Sequence, residues 1–167
     1  MKTVYHGSSV KVENPLAKLG RKNLDFGEGF YVTDIRNQAV RWAERIAGRT
    51  GVIPILNIYE LDMKMVSEKY RVLKFEDYDK QWLDFIVSSR NGEKPWSEYD
   101  MIEGGVANDH VIDTIEAYMN GYMTIDMALG QLALHRPNNQ ICLLNQQLID
   151  ACLHFKSTES LNFQSHA

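Results

Sequence analysis

The sequence predicts a single α+β domain. β-rich runs lie near both ends of the 167-residue chain, at Lys2–His6 and Gln140–Leu144. Helical apolar stripes concentrate in the middle. Strands and helices do not alternate as they do in a doubly wound parallel sheet. A chain of this length buries roughly 70% of its unfolded surface and needs no disulfide or metal staple. The domain is expected over residues 1–156, with a helical insertion at about 77–136 and a polar, frayed tail at 157–167.

The elements follow in order. Lys2–His6 reads as a short strand ended by Gly7, Ser8 and Ser9. Residues 10–24 are loop-like, with Asn14-Pro15 as a turn. Asp25–Thr33 reads as a glycine turn feeding a strand. Thr33 or Asp34 can cap a helix whose face is Ile35, Ala39, Trp42, Ala43 and Ile46, with Gly48 as its stop. Residues 52–60 and 70–75 are β-rich. Tyr78, Trp82, Phe85, Ile86 and Ser89 mark a second amphipathic helix, stopped by Asn91-Gly92. Asp109 can cap a third that ends at Gly121, and Thr124 a fourth that ends before Pro137. Gln140–Leu144 reads as a strand. A short helix near 146–152 and a last strand near Leu153–Lys156 close the domain.

Composition excludes several classes. No apolar run approaches the roughly 20 residues of a bilayer span, and the N-terminus turns polar after five residues. A soluble cytoplasmic protein is expected, with no membrane partner. Cys142 and Cys152 lie in apolar stretches and read as small buried hydrophobes. The five histidines are dispersed without metal-ligand spacing, so no metal is implied. The net charge of -4 argues against a protein held on nucleic acid by bulk charge. The charge is uneven, however: residues 1–50 carry nine basic and five acidic side chains, whereas the remainder carries nine and 17. A basic N-terminal third suits a pyrophosphate or an anionic macromolecule, or is simply a solvated surface.

Four elements could carry chemistry: Tyr5–Ser8, Gly27–Thr33, Trp42 and Asn138–Cys142. Singly, each has a plain structural reading: a turn histidine, core aromatics, tight-turn glycines and Asn turn chemistry. The segment Gly104–Asp109 reads as a glycine turn with Asn108 and Asp109 capping a helix, or as a loop over a ligand. No Gly-x-Gly-x-x-Gly follows a strand, so the Rossmann design is absent.

In their order, these elements resemble the ADP-ribosyltransferase superfamily in its diphtheria-toxin and poly(ADP-ribose) polymerase branch. The matching residues are His6-Gly7-Ser8, Gly27–Tyr31, Trp42 eleven residues after Tyr31, and Gln140. More closely, Asp25–Thr33, Gly104–Asp109 and Asn138–Cys142 resemble a small bacterial family of uncharacterised-domain type (DUF3990-like). The resemblance implies a split β-sheet core, NAD as substrate and no metal. It implies His6, Tyr31 and Gln140 as catalytic residues. Around the NAD it places His6, Gly7, Ser8, Gly29, Phe30, Tyr31, Ala39 and Trp42. In this reading the Gly7 backbone bonds the nicotinamide carboxamide and His6 a ribose hydroxyl, while Tyr31 and Trp42 sandwich the cationic ring. Arg21, Arg36 and Arg41 are candidates for the pyrophosphate.

Two departures matter. Gln140 stands where the branch usually carries glutamate; an amide can bond a ribose hydroxyl but cannot act as a base. Ala39 stands where the polymerases carry a carboxamide-binding serine. The expected activity is therefore mono-ADP-ribosylation of a macromolecule, protein or nucleic acid, by a bacterial toxin or phage-defence effector restrained by an antitoxin. A non-catalytic NAD- or partner-binding module and an NAD glycohydrolase are the alternatives.

Overall fold

The computed structural model describes residues 1–19, 25–135 and 138–161. The chain is α+β, with seven strands in two sheets and six α-helices among the described residues. The first sheet holds β1 (Lys2–Ser8), β3 (Ile55–Leu61) and β7 (Leu153–Ser160) in the order β1-β3-β7. The second holds β2 (Phe30–Val32), β4 (Val72–Lys74), β5 (Met101–Gly104) and β6 (Gln140–Leu143) in the order β2-β6-β5-β4. All pairs are antiparallel except β4 with β5. One mutual bridge, Tyr5 with Thr33, joins β1 to β2 and so links the sheets.

The apolar residues divide into two cores because successive strand side chains point to opposite faces. One core takes Val4, Phe30, Val32, Tyr59, Leu61, Ile141 and Leu143. It is closed by Leu148, Ile149 and Cys152 of α6 (Gln146–Cys152). The other lies on the opposite face of the second sheet, where Ile102 and Cys142 meet three helices. These are α3 (Lys80–Arg90), α4 (Asp109–Met119) and α5 (Ile125–Leu132). Trp82 is its largest buried side chain, and its indole N–H donates to the Gly105 carbonyl at 3.2 Å. Helix α1 (Arg36–Thr50) covers the outer face of β1 and β3 through Ala39, Ala43 and Ala47.

Several expectations need correction. The span 77–136 is not purely helical, because β5 lies inside it, hydrogen-bonded between β6 and β4. Met101–Gly104 is too short a run to announce a strand; burial of all four residues makes it one. Helix α1 runs through Gly48 to Thr50 and stops at Gly51, which takes the left-handed conformation (φ 70°) that Gly48 was expected to supply. Its N-cap is Ile35; Thr33 Oγ1 instead accepts the Ile35 N–H at 3.1 Å. Helix α4 is capped by Asn108, not Asp109, through the Val111 N–H. The tail is not frayed from Ser157: β7 continues to Ser160, paired with β3, because a polar strand suits a sheet edge facing water. Helix α2 (Met63–Lys69), capped by Asp62, was not expected; seven residues give little periodicity to read. Arg21 and Pro137 lie outside the described residues.

Candidate functional site

The site begins where the two sheets part. Tyr5 and Thr33 exchange both backbone hydrogen bonds, at 2.8 and 2.9 Å. In an antiparallel ladder the next such pair would be Gly7 with Tyr31. It does not form. The His6 side chain takes its place, with Nδ1 at 2.7 Å from the Tyr31 carbonyl oxygen. Backbone polar groups alternate sides along a strand, so the Gly7 N–H and C=O face this gap and not β3. Among the described residues neither has a hydrogen-bond partner. Gly7 is buried, and a buried unpaired backbone edge is costly and rare.

Gly7 also has a packing reason to be glycine. A Cβ there would lie 2.1 Å from the Ala39 carbonyl oxygen and 2.7 Å from the Ala43 nitrogen. The two alanines let α1 rest directly on the strand. Ala39 thus sits against Gly7, where its carbonyl and small side chain serve close packing.

The His6 ring stacks at a tilt on Phe30, with centroids 4.4 Å apart, and Phe30 in turn meets Tyr59 edge-on. A carbonyl oxygen only accepts, so Nδ1 carries the hydrogen. Desolvation by burial lowers the His6 pKa from 6.5, and the bond to Tyr31 only partly offsets it. The ring is neutral at neutral pH, and Nε2 is left as a hydrogen-bond acceptor. The unfolded chain therefore takes up this proton at higher pH than the folded one. Stability from neutral His6 is complete above pH 6.5 and is lost as pH falls below 6.5 towards the folded pKa. His6→Gln is expected to flatten this part of the pH dependence. Urea midpoints from neutral to mildly acidic pH, compared with wild type, check it.

Tyr31 and Gln140 share one face of the second sheet. Tyr31 pairs with Cys142, and Gln140 lies two residues before Cys142. They are therefore diagonal neighbours, with Cα atoms about 7–8 Å apart. The Tyr31 hydroxyl donates to the Gly27 carbonyl at 2.6 Å, and burial raises its pKa far above the ordinary value. Gln140 is buried, and its amide makes no hydrogen bond among the described residues. The residue before it is the local anchor. Asn139 O accepts from Thr33 Oγ1 at 2.7 Å and Gln38 Nε2 at 2.8 Å. Asn139 Nδ2 donates to Asp34 and to the buried Glu103. Sequence reasoning missed Gln38 and Glu103, and it singled out Asn139 only as part of the polar run Asn138–Cys142, not as their anchor. A glutamine on the apolar side of a helix was the available signal.

Trp42 is half-buried and belongs to neither core. It stands one turn after Gln38 and three residues after Ala39, so it projects between the flank that touches Asn139 and the flank that touches Gly7. It makes no ring contact with Tyr31 or any other described aromatic residue. Trp42→Ala is therefore expected to leave the ligand-free melting temperature almost unchanged. If the ring stacks on nicotinamide, the same change weakens NAD binding by about 1–2 kcal/mol, and Trp42→Tyr restores most of it. Paired thermal unfolding and NAD titration check both halves.

The remaining expected residues are placed as follows. Ser8 ends β1 and its Oγ accepts the Val10 N–H. Phe30 is a core residue that supports His6. A Cβ on Gly29 would lie 2.6 Å from the Leu143 carbonyl oxygen, so that glycine serves close approach to β6. Gly27 has φ 97°, and a Cβ there would lie 2.4 Å from the Trp96 ring. Arg36, exposed at the start of α1, pairs with Glu159. Gly104 and Gly105 pack against Phe75 and Tyr78, which favours the structural reading of that segment. Two open recesses, of about 400 Å³ by Ile53 and Leu161 and about 340 Å³ by Pro95 and Tyr99, lie away from these residues. No helix among the described residues is long and apolar enough to cross a membrane.

Fold and site together define an α+β protein with a parted sheet, whose gap is lined by an unpaired glycine backbone and flanked by aromatic and amide side chains. Residues 2–155 match the family described as a protein of unknown function (DUF3990), and the chain belongs to that family. Comparison with curated proteins and with solved structures returns no match.

Proposed function

We propose that this protein binds NAD in the gap between β1 and β2 and transfers its ADP-ribose to a macromolecule. The observation that carries this reading is the free Gly7 N–H and C=O edge. A carboxamide presents one acceptor and two donors, so it complements such an edge with a pair of hydrogen bonds. A glycine allows the close approach. Tyr31 and Trp42 supply faces for a cationic ring, and His6 Nε2 accepts from a ribose hydroxyl.

In the reaction, the bond between the ribose anomeric carbon and the nicotinamide nitrogen breaks. Nicotinamide leaves neutral with the electron pair, through an oxocarbenium-like state akin to that of glycoside hydrolysis. A lone pair on the acceptor forms the new bond to the anomeric carbon. Gln140 bonds a ribose hydroxyl but takes no proton, so the acceptor's proton, where it has one, passes to water. A toxin or defence effector working in this way inside its own cell requires an antitoxin or other restraint, an analogy with other small transferases.

Gln140 also favours a second reading, an NAD-binding module without turnover; water as acceptor would make a glycohydrolase. Incubation with NAD labelled on the adenylate side separates the three. Label moving to a macromolecule is the expected result. Free ADP-ribose alone indicates the glycohydrolase, and binding without turnover the module. No NAD binding overturns all three.

A further inference from the structure

We propose that the acceptor of the ADP-ribose is a nucleic-acid strand, held through its phosphates by Arg41, Arg45 and Arg49 on the solvent side of α1. The proposal rests on the transferase reading above, and its test separates the two.

Three observations carry it. First, the three arginines recur at i, i+4 and i+8, so they form one stripe rising about 6 Å per step. All three are exposed. Like charges at this spacing repel and destabilise a helix. A favourable dipole at the helix C-terminus accounts for Arg49 but not for Arg41 or Arg45.

Second, the stripe is not neutralised. Among the described residues, only Arg36 of the four arginines on α1 has an ion-pair partner. Glu44, the one acid in the helix, pairs with none of them. Elsewhere the arginines at 71 and 90 pair with Asp100 and Asp25. Unpaired guanidinium groups in a row present planar, weakly hydrated donors suited to successive phosphate oxygens.

Third, the stripe runs beside the gap. Trp42 is three residues before Arg45 and seven before Arg49, so these side chains share a flank of the helix. A strand bound along the arginines lies next to the ring that faces the nicotinamide. The chain as a whole is acidic, at -4, so this local field sets the docking site and bulk charge does not.

The test uses Arg45→Gln/Arg49→Gln, leaving Arg41 in place because it is also a candidate for the NAD pyrophosphate. Binding of fluorescent single-stranded RNA and DNA is titrated at 50 and 200 mM salt, beside NAD titration. Each arginine on a phosphate contributes about 0.7 to the salt slope for a single strand. The wild type should therefore lose about 7-fold more affinity than the variant over this fourfold salt change. NAD affinity should be unchanged, and Arg45→Lys/Arg49→Lys should keep most strand binding. Label transferred from NAD in lysate should vanish on nuclease treatment and survive protease; the RNA and DNA arms identify the strand. Wild-type protein that binds neither strand at 50 mM salt overturns the proposal, as does equal salt dependence in the variant. Protease-sensitive label overturns it in favour of a protein acceptor. Arginine-dependent strand binding without NAD turnover contradicts the transferase and with it the acceptor role.

Discussion

Gly7→Ala is expected to destabilise the fold by about 3 kcal/mol or more, the upper range for overpacking a filled interior. The added methyl would meet the Ala39 carbonyl oxygen at 2.1 Å and the Ala43 nitrogen at 2.7 Å. Both are backbone atoms of one helix, so no side chain can swing away; α1 itself must lift from β1. Gly48→Ala is the internal control. Nothing lies within 4 Å of a Cβ there, and Gly48 sits inside α1. Replacing a helix glycine by alanine stabilises by roughly 0.5–1 kcal/mol. Urea denaturation of the two variants should therefore give opposite signs. Equal small effects would mean that α1 does not rest on β1 as described.

The second large effect concerns turnover. Tyr31→Ala and His6→Ala should each lower nicotinamide release from NAD on the order of 10²-fold or more, the scale of losing one preorganised contact to a developing charge. Tyr31→Phe keeps the ring and loses only the hydroxyl bond to Gly27. It should cost about 1 kcal/mol of stability and little NAD affinity. Single-turnover kinetics beside circular dichroism distinguish loss of chemistry from loss of fold. Full turnover in both alanine variants would remove the proposed site.

Much of this architecture was legible in the sequence for physical reasons. The apolar spacing of Tyr78, Trp82 and Ile86 locates α3, because a helix must bury one face. Thr124 locates the start of α5 by its capping chemistry. Met101–Gly104 was not legible as a strand: four residues buried on both faces carry no alternation. Gly48 and Gly51 compete as helix stops, and only the backbone geometry shows that Gly51 takes the left-handed turn. At the site, the motif order pointed to His6, Gly7, Tyr31, Trp42 and Gln140 from the resemblance. The structure places His6 on the carbonyl of Tyr31 and sets Tyr31 and Gln140 on one sheet face. The Asn139 anchor was hidden because its partners, Gln38, Thr33, Asp34 and Glu103, are scattered along the chain and meet only once the strands pair.

The central claim is that the unpaired backbone edge of Gly7 receives the carboxamide of nicotinamide. Nitrogen-detected NMR titration of the labelled protein with nicotinamide tests it most directly. The account predicts a saturable shift of the Gly7 amide, accompanied by the Trp42 indole N–H, while the amides of Gly48 and Gly51 stay in place. A Gly7 amide that does not move while signals elsewhere saturate would contradict it.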